Sequence, residues 1–202
     1  AGSMNTRTVI IVAVLAALLG AIAGLLVSGP GPLWRTRLGQ QILHTAMDAN
    51  APTPPANVIV AKRGETVPPL RLPDLAGRTV AIPGTWAGRP LLVNVWASWC
   101  GPCIEEMPEL QSFSARQGTK GIQVVGIALD EPEAVRDFLS RVPVQYPILI
   151  DSPGPADASV RLGNLNGVLP YSVLIGADGR LLRQRIGPFV AGELDAFADP
   201  AR

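Results

Sequence analysis

Leu91-Leu92-Val93-Asn94-Val95-Trp96-Ala97-Ser98-Trp99-Cys100-Gly101-Pro102-Cys103 is the stretch that decides how this 202-residue chain is read. Its first part, Leu91 to Trp96, is an almost wholly apolar run of strand length, the pattern of a strand covered on both faces in the middle of a sheet. A helical pattern follows from about Pro102 to Gln117. The chain's two cysteines, Cys100 and Cys103, therefore fall at a strand-to-helix junction. A helix N-terminus presents unpaired N–H groups and positive potential. A thiolate is stabilised there, so Cys100 is the expected attacking nucleophile. Pro102 suits the first helical turn, where its missing N–H costs nothing. Gly101 permits close approach of a partner chain. Cys103, one turn into the helix, is expected to be more buried and to act as the resolving thiol.

Other uses of the pair are poorly supported. A disulfide that closes so short a loop removes little unfolded-chain entropy, so stabilisation is not its purpose. A zinc site needs about four ligands, and the chain has no second cysteine pair. Its single histidine, His44, lies in a spacer helix far along the sequence, where a solvated side chain is expected. No metal site and no histidine-based triad is expected. The formal net charge of +1 gives no field that would attract nucleic acid.

Working outward, Val58 opens a domain of alternating short elements. Leu70–Leu72 and Thr79–Ile82 read as a hairpin around Asp74 to Gly77. Beyond the first helix come a strand at Ile122–Leu129, a helix at Glu131–Arg141 and a strand at Tyr146–Asp151. A short helix follows at Asp157–Leu162. Tyr171–Ile175 and Leu181–Ile186 form a second hairpin about the Asp178-Gly179 turn signal, and Val190–Ala198 closes as a helix. Strands alternating with helices argue for an α/β domain with a mixed sheet.

Upstream, Ala1-Gly2-Ser3 reads as an expression remnant ahead of a natural start at Met4, with residues 4–8 as a cytoplasmic end. Val9 to Val27 carries no charge and is about long enough to cross a ~30 Å hydrocarbon core as a helix. It reads as a transmembrane anchor with the amino terminus inside. The competing reading is a cleaved signal peptide, with Arg7 as its charged start and Ala21-Ile22-Ala23 as its cleavage site; the apolar run continues past that site. Residues 28–57 read as a spacer. Leu33–Ala49 is an amphipathic helix with Trp34, Leu38, Ile42 and Ala46 on one side, and Asn50–Asn57 is a Pro-rich, semi-rigid linker.

The stretch from Leu92 to Cys103 resembles the active-site strand and motif of thioredoxins, and its continuation Ile104-Glu105-Glu106-Met107-Pro108 resembles the TlpA/ResA-type branch. So do Asn166-Gly167-Val168-Leu169-Pro170-Tyr171, the hairpin at Asp178-Gly179-Arg180, and Gly187. The resemblance covers roughly Val58 to Ala198. It implies a thioredoxin-like fold with an N-terminal β-hairpin extension and an extracytoplasmic, membrane-anchored thiol–disulfide oxidoreductase. It implies that Pro170 is a cis-proline facing the cysteines. Trp99, Gly101, Pro102, Leu169 and Pro170 would then contact an extended partner segment, with the bulk of Leu169 bearing on partner choice.

One position departs from cytosolic thioredoxins, which carry a buried aspartate where this chain has Asn94. The TlpA/ResA branch instead has a glutamate matching Glu106, which shares a helix face with Cys103. A partly buried carboxylate there can accept the Cys103 proton, and Glu105 is expected to face outward.

The first functional reading is a reductase of protein disulfides in the periplasm or an equivalent extracytoplasmic space. Its redox group is the cysteine pair, with no added cofactor. By resemblance, its substrates are apocytochrome CxxCH pairs or the cysteines of a copper site. Electrons would come from a transmembrane donor of the DsbD/CcdA type, and the domain would work as a monomer. The second reading is an oxidase or isomerase of secreted proteins. A peroxidase is disfavoured because Ala97 stands where peroxiredoxins need threonine. A copper chaperone using both thiolates lacks a third ligand.

Overall fold

The computed structural model describes residues 12, 13, 15, 16, 37–49 and 51–199, and two compact units divide the chain between Met47 and Asp48. In the first unit, residues 12, 13, 15 and 16 are helical, and helix α1 runs Arg37–Asp48 to the unit boundary. Leu38 and Ile42, assigned to its apolar side, are exposed. Trp34 and most of the Val9–Val27 run lie outside the described residues. Among the described residues no helix is long and apolar enough to cross a membrane.

The second unit is built on a five-stranded sheet preceded by a two-stranded hairpin. Strands β1 (Leu70–Pro73) and β2 (Thr79–Ile82) pair antiparallel across the turn that Asp74 caps. The Asp74 carboxylate accepts the N–H groups of Ala76 and Arg78, both at 2.9 Å. A short 3₁₀ turn at Gly84–Trp86 follows a cis Ile82–Pro83 bond. Then come β3 (Leu91–Trp96), α2 (Gly101–Gln117), β4 (Gln123–Leu129), α3 (Pro132–Arg141) and β5 (Ile148–Asp151). Helix α4 (Ala158–Arg161), strands β6 (Tyr171–Ile175) and β7 (Leu181–Ile186), and helix α5 (Glu193–Ala198) complete the chain.

The sheet order is β5-β4-β3-β6-β7. β3, β4 and β5 are parallel, β6 runs antiparallel to β3, and β7 antiparallel to β6, so the sheet is mixed. This is a thioredoxin-like α/β fold with its β-hairpin extension. β3 is central, and all six of its residues are buried. Its alternation sends Leu92, Asn94 and Trp96 to one face and Val93 and Val95 to the other. The first face packs under α2, α3 and α5 through Met107, Leu110, Phe113, Val135, Phe138 and Leu194. Trp96 meets Phe138 with ring centroids 5.3 Å apart. Burying one such large side chain contributes about 1.5–3 kcal/mol. This core holds the end of β3 and the start of α2 at the edge of a rigid layer, where Cys100 and Cys103 lie.

Candidate redox site

Cys100 is the N-cap residue of α2, and Pro102 occupies its first turn. The loop feeding the helix is tied down from β4. The Asp130 carboxylate accepts the Ser98 hydroxyl at 2.5 Å and the Ser98 N–H at 3.1 Å. Within the loop, the Cys100 N–H donates to the Ala97 carbonyl at 3.1 Å. The two cysteines are joined as a disulfide. Cys100 keeps 6% exposure whereas Cys103 has none, so the surface reaches the pair through Cys100. Gly101 and Pro102 are exposed beside it, and Trp99 is 69% exposed, which is unusual for so large an apolar side chain.

The Leu169–Pro170 bond is cis and directly precedes β6, the neighbour of β3. A cleft of about 340 Å³ lies beside it, lined by Trp99, Leu129, Pro155, Leu169 and, from the linker, Pro52 and Pro54. Asp157 also lines it, but its carboxylate is engaged locally. It accepts the Val160 N–H at 3.0 Å, the Ser159 hydroxyl at 2.8 Å and the Gly154 N–H at 3.0 Å. The wall is thus mainly apolar, suited to the apolar side chains of an extended polypeptide segment.

Behind the disulfide lies a buried polar cluster. Glu106 is 1% exposed although it is a carboxylate, while Glu105 faces solvent. The amide Nδ2 of Asn94 donates to Glu106 Oε1 at 2.7 Å and to the Ser172 hydroxyl at 3.0 Å. Asn94 and Ser172 are direct cross-strand partners on β3 and β6. The backbone N–H of Phe189 donates to the other oxygen, Oε2, at 2.9 Å. Burial pushes the Glu106 carboxyl up to about 7, against the opposing pull of the Phe189 N–H, the Asn94 amide and the Arg185 charge. A group with that proton affinity can exchange a proton near neutral pH. Burial, together with the Glu106 charge, likewise pushes the nearby Tyr146 hydroxyl upward.

Four residues of this cluster escape sequence reasoning: Ser172, Phe189, Arg185 and Tyr146. Ser172 was accessible in principle, because pairing β3 with β6 puts it opposite Asn94. Phe189 contributes a backbone N–H, which every residue but proline has, so no side-chain signal marks it. Among the described residues no group of three or more His, Cys, Asp or Glu side chains could hold a metal ion.

A thioredoxin-like domain with a surface-reaching CxxC disulfide at a helix N-cap and a cis-proline at the head of the strand next to β3 defines the class of thiol–disulfide oxidoreductases. Residues 62–199 match the redoxin family, and the chain belongs to it. It is 28% identical to the thiol-disulfide oxidoreductase ResA of Bacillus cereus (strain ZK / E33L), over 66% of this chain and 75% of that one. It is 27% identical to the sporulation thiol-disulfide oxidoreductase A of Bacillus subtilis (strain 168), over 62% of this chain and 74% of that one. Among solved structures, it superposes with a TM-score of 0.58 and 29% identity on a protein assigned as the thiol:disulfide interchange protein DsbE of Chlorobium tepidum. That match covers 67% of this chain and 93% of the other. The enzyme is a protein thiol–disulfide oxidoreductase.

Proposed function

We propose that the protein is an extracytoplasmic reductase of protein disulfides, with Cys100 as nucleophile, Cys103 as resolving thiol and Glu106 as the acceptor of the Cys103 proton. The observation that carries this reading is Glu106: a carboxylate one helical turn beyond Cys103, buried, and with its carboxyl pushed up to about 7. In the reduced enzyme the Cys100 thiolate attacks one sulfur of a substrate disulfide. The substrate S–S bond breaks, and one substrate thiolate leaves and takes up a proton. The Cys103 thiol then passes its proton to Glu106, and its thiolate attacks the Cys100 sulfur. The mixed disulfide breaks, the second substrate thiolate leaves, and the Cys100–Cys103 disulfide forms. Two electrons have moved from enzyme to substrate.

The substrate segment lies in the cleft beside Trp99 and Leu169, against Gly101, Pro102 and the cis Pro170. The Gly-Pro dipeptide between the cysteines is that of reducing thioredoxins and favours this direction of electron flow. The resemblance to the TlpA/ResA branch favours protein disulfide substrates and an extracytoplasmic setting. The cysteine pairs of apocytochromes or of a copper site fit that setting. A reducing enzyme outside the cytoplasm must be recharged through the membrane, by a thiol donor of the DsbD/CcdA type. In this arrangement Val9–Val27 is the anchor, residues 28–57 the spacer and residues 58–202 a monomeric catalytic domain.

A Cys103→Ser variant tests the assignment. It should accumulate a mixed disulfide on Cys100, releasable by dithiothreitol, with a protein that carries a cysteine pair. A Cys100 that stays a free thiol in that variant would sink the exchange order proposed. The redox form of the parent in growing cells tests direction: a mainly reduced pair supports the reductase, and a mainly oxidised one favours an oxidase.

A further inference from the structure

The turn that supplies the Phe189 N–H is held by a pair that the exchange chemistry does not use. Arg185, at the end of β7, is 5% exposed. Its Nη2 donates to the Glu193 carboxylate at 2.6 Å and to the Pro188 carbonyl at 2.9 Å. Its guanidinium lies over the Phe189 ring, 4.6 Å from the centroid. Glu193, at the start of α5, closes the turn from the other side. Its Oε2 accepts the Val190 N–H at 3.2 Å, and its own N–H donates to the Val190 carbonyl at 3.1 Å. The turn's first residue, Gly187, donates its N–H to the carbonyl of the cis Pro170 at 2.9 Å. Pro188 through Val190 is thus clamped by one charged pair, with the Phe189 N–H pointing inward to Glu106 Oε2.

We propose that Arg185 and Glu193 are positioning residues of the redox site, holding the Pro188–Val190 turn so that the Phe189 N–H stays aimed at the Glu106 carboxylate. The inference rests on the reading of Glu106 as proton acceptor and gives that acceptor a remote setting. No substitution other than proline removes a backbone donor, so its aim is set by the turn that carries it. A largely buried ion pair is a costly way to gain stability alone, since apolar replacements of similar volume are often no worse. Here the pair supplies a geometry: one arginine nitrogen, Nη2, reaches the Glu193 carboxylate and the Pro188 carbonyl while the planar guanidinium lies on the Phe189 ring, which a lysine ammonium does not reproduce.

Several elements of the fold bring groups to face Glu106. Cys103 comes from its own helix, Asn94 from β3 with Ser172 of β6 behind it, Tyr146 from the segment before β5, the Phe189 N–H from the turn, and Arg185 from β7. Charge and position predict opposite outcomes at Glu193. Removing its negative charge makes it easier for Glu106 to ionise. Loosening the turn weakens the Phe189 hydrogen bond and makes ionisation harder.

The experiment follows the Glu106 carboxyl by carbon-13 NMR titration in the oxidised full chain, for the parent, Arg185→Lys, Arg185→Gln and Glu193→Ala. The expected result is an upward move of the Glu106 midpoint by about one pH unit in Glu193→Ala, as loss of a hydrogen bond to a charged group implies. Arg185→Lys and Arg185→Gln move it in the same direction. A downward move or none in Glu193→Ala overturns the proposal. So does full retention of the parent midpoint in Arg185→Lys, which would leave charge alone as the cause. Because the midpoint is read directly, these outcomes stand apart from the role of the carboxylate in exchange. That role fails separately if Glu106→Gln leaves the pH–rate profile of mixed-disulfide resolution unchanged.

Discussion

At Asn94 the side chain offers a donor amide where cytosolic thioredoxins offer a carboxylate, and that amide holds Glu106 at 2.7 Å. The sequence shows the departure at Asn94 and the candidate at Glu106, but not that the first residue grips the second. Contact between them depends on β3 lying under α2, a long-range fact. Replacing Asn94 by Ala removes donors to both Glu106 and Ser172 and leaves buried acceptors behind. The expected loss is about 1–3 kcal/mol of stability, read from urea unfolding of the oxidised protein. Replacing Glu106 by Gln keeps much of the shape and removes the proton acceptor. Resolution of a mixed disulfide at pH 7 should slow by on the order of a hundredfold, measured by stopped-flow thiol release. An unchanged rate would remove Glu106 from the mechanism.

Elements follow the sequence pattern closely where one signal dominates, and depart where proline or glycine resets the backbone. β3 matches the apolar run Leu91–Trp96 because nothing interrupts it. β5 begins at Ile148 rather than Tyr146, since Pro147 has no N–H to give a ladder. α5 begins at Glu193 rather than Val190, because Gly192 sits at φ +83° and its left-handed backbone cannot lie inside the helix. α2 begins at Gly101 with Cys100 as its cap, one residue earlier than the proline suggests. The 3₁₀ turn at Gly84–Trp86 and the cis Ile82–Pro83 bond carry no comparable sequence pattern. The packing between β4 and its neighbours gives a prediction at this scale. A Cβ on Gly126 would come within 2.6 Å of Ile148 Cδ1 and 3.2 Å of both Trp96 Nε1 and Tyr146 Cε2. Gly126→Ala should therefore cost about 1–3 kcal/mol by overpacking, read from the denaturation midpoint. A variant as stable as the parent would mean that the Ile148 side chain turns away from the added methyl.

For the whole molecule, Glu106 couples folding to pH. Its carboxyl is pushed up to about 7 in the folded chain from an ordinary 4.5, and burial is the main cause. The native state therefore holds a proton that the unfolded chain has already released across that window. This contribution to stability is full below pH 4.5 and is lost as pH rises through 7, on the order of 3 kcal/mol in all. Unfolding of the oxidised parent at pH 4.5 and pH 8 should show the fall, and Glu106→Gln should flatten it.

The linker prolines carry the last consequence. Pro52 and Pro54 form one bank of the cleft beside Trp99, so a stretch that reads as a semi-rigid linker also lines the proposed substrate cleft. A protein trimmed to begin at Val58 keeps both cysteines, the buried carboxylate and every strand of the sheet. It should still turn over a small disulfide such as cystine at the parent's rate, yet discriminate less among folded proteins. Equal selectivity in trimmed and full chains would show that the bank is idle. If the bank matters, drift in those prolines would change the enzyme's clientele without touching its chemistry.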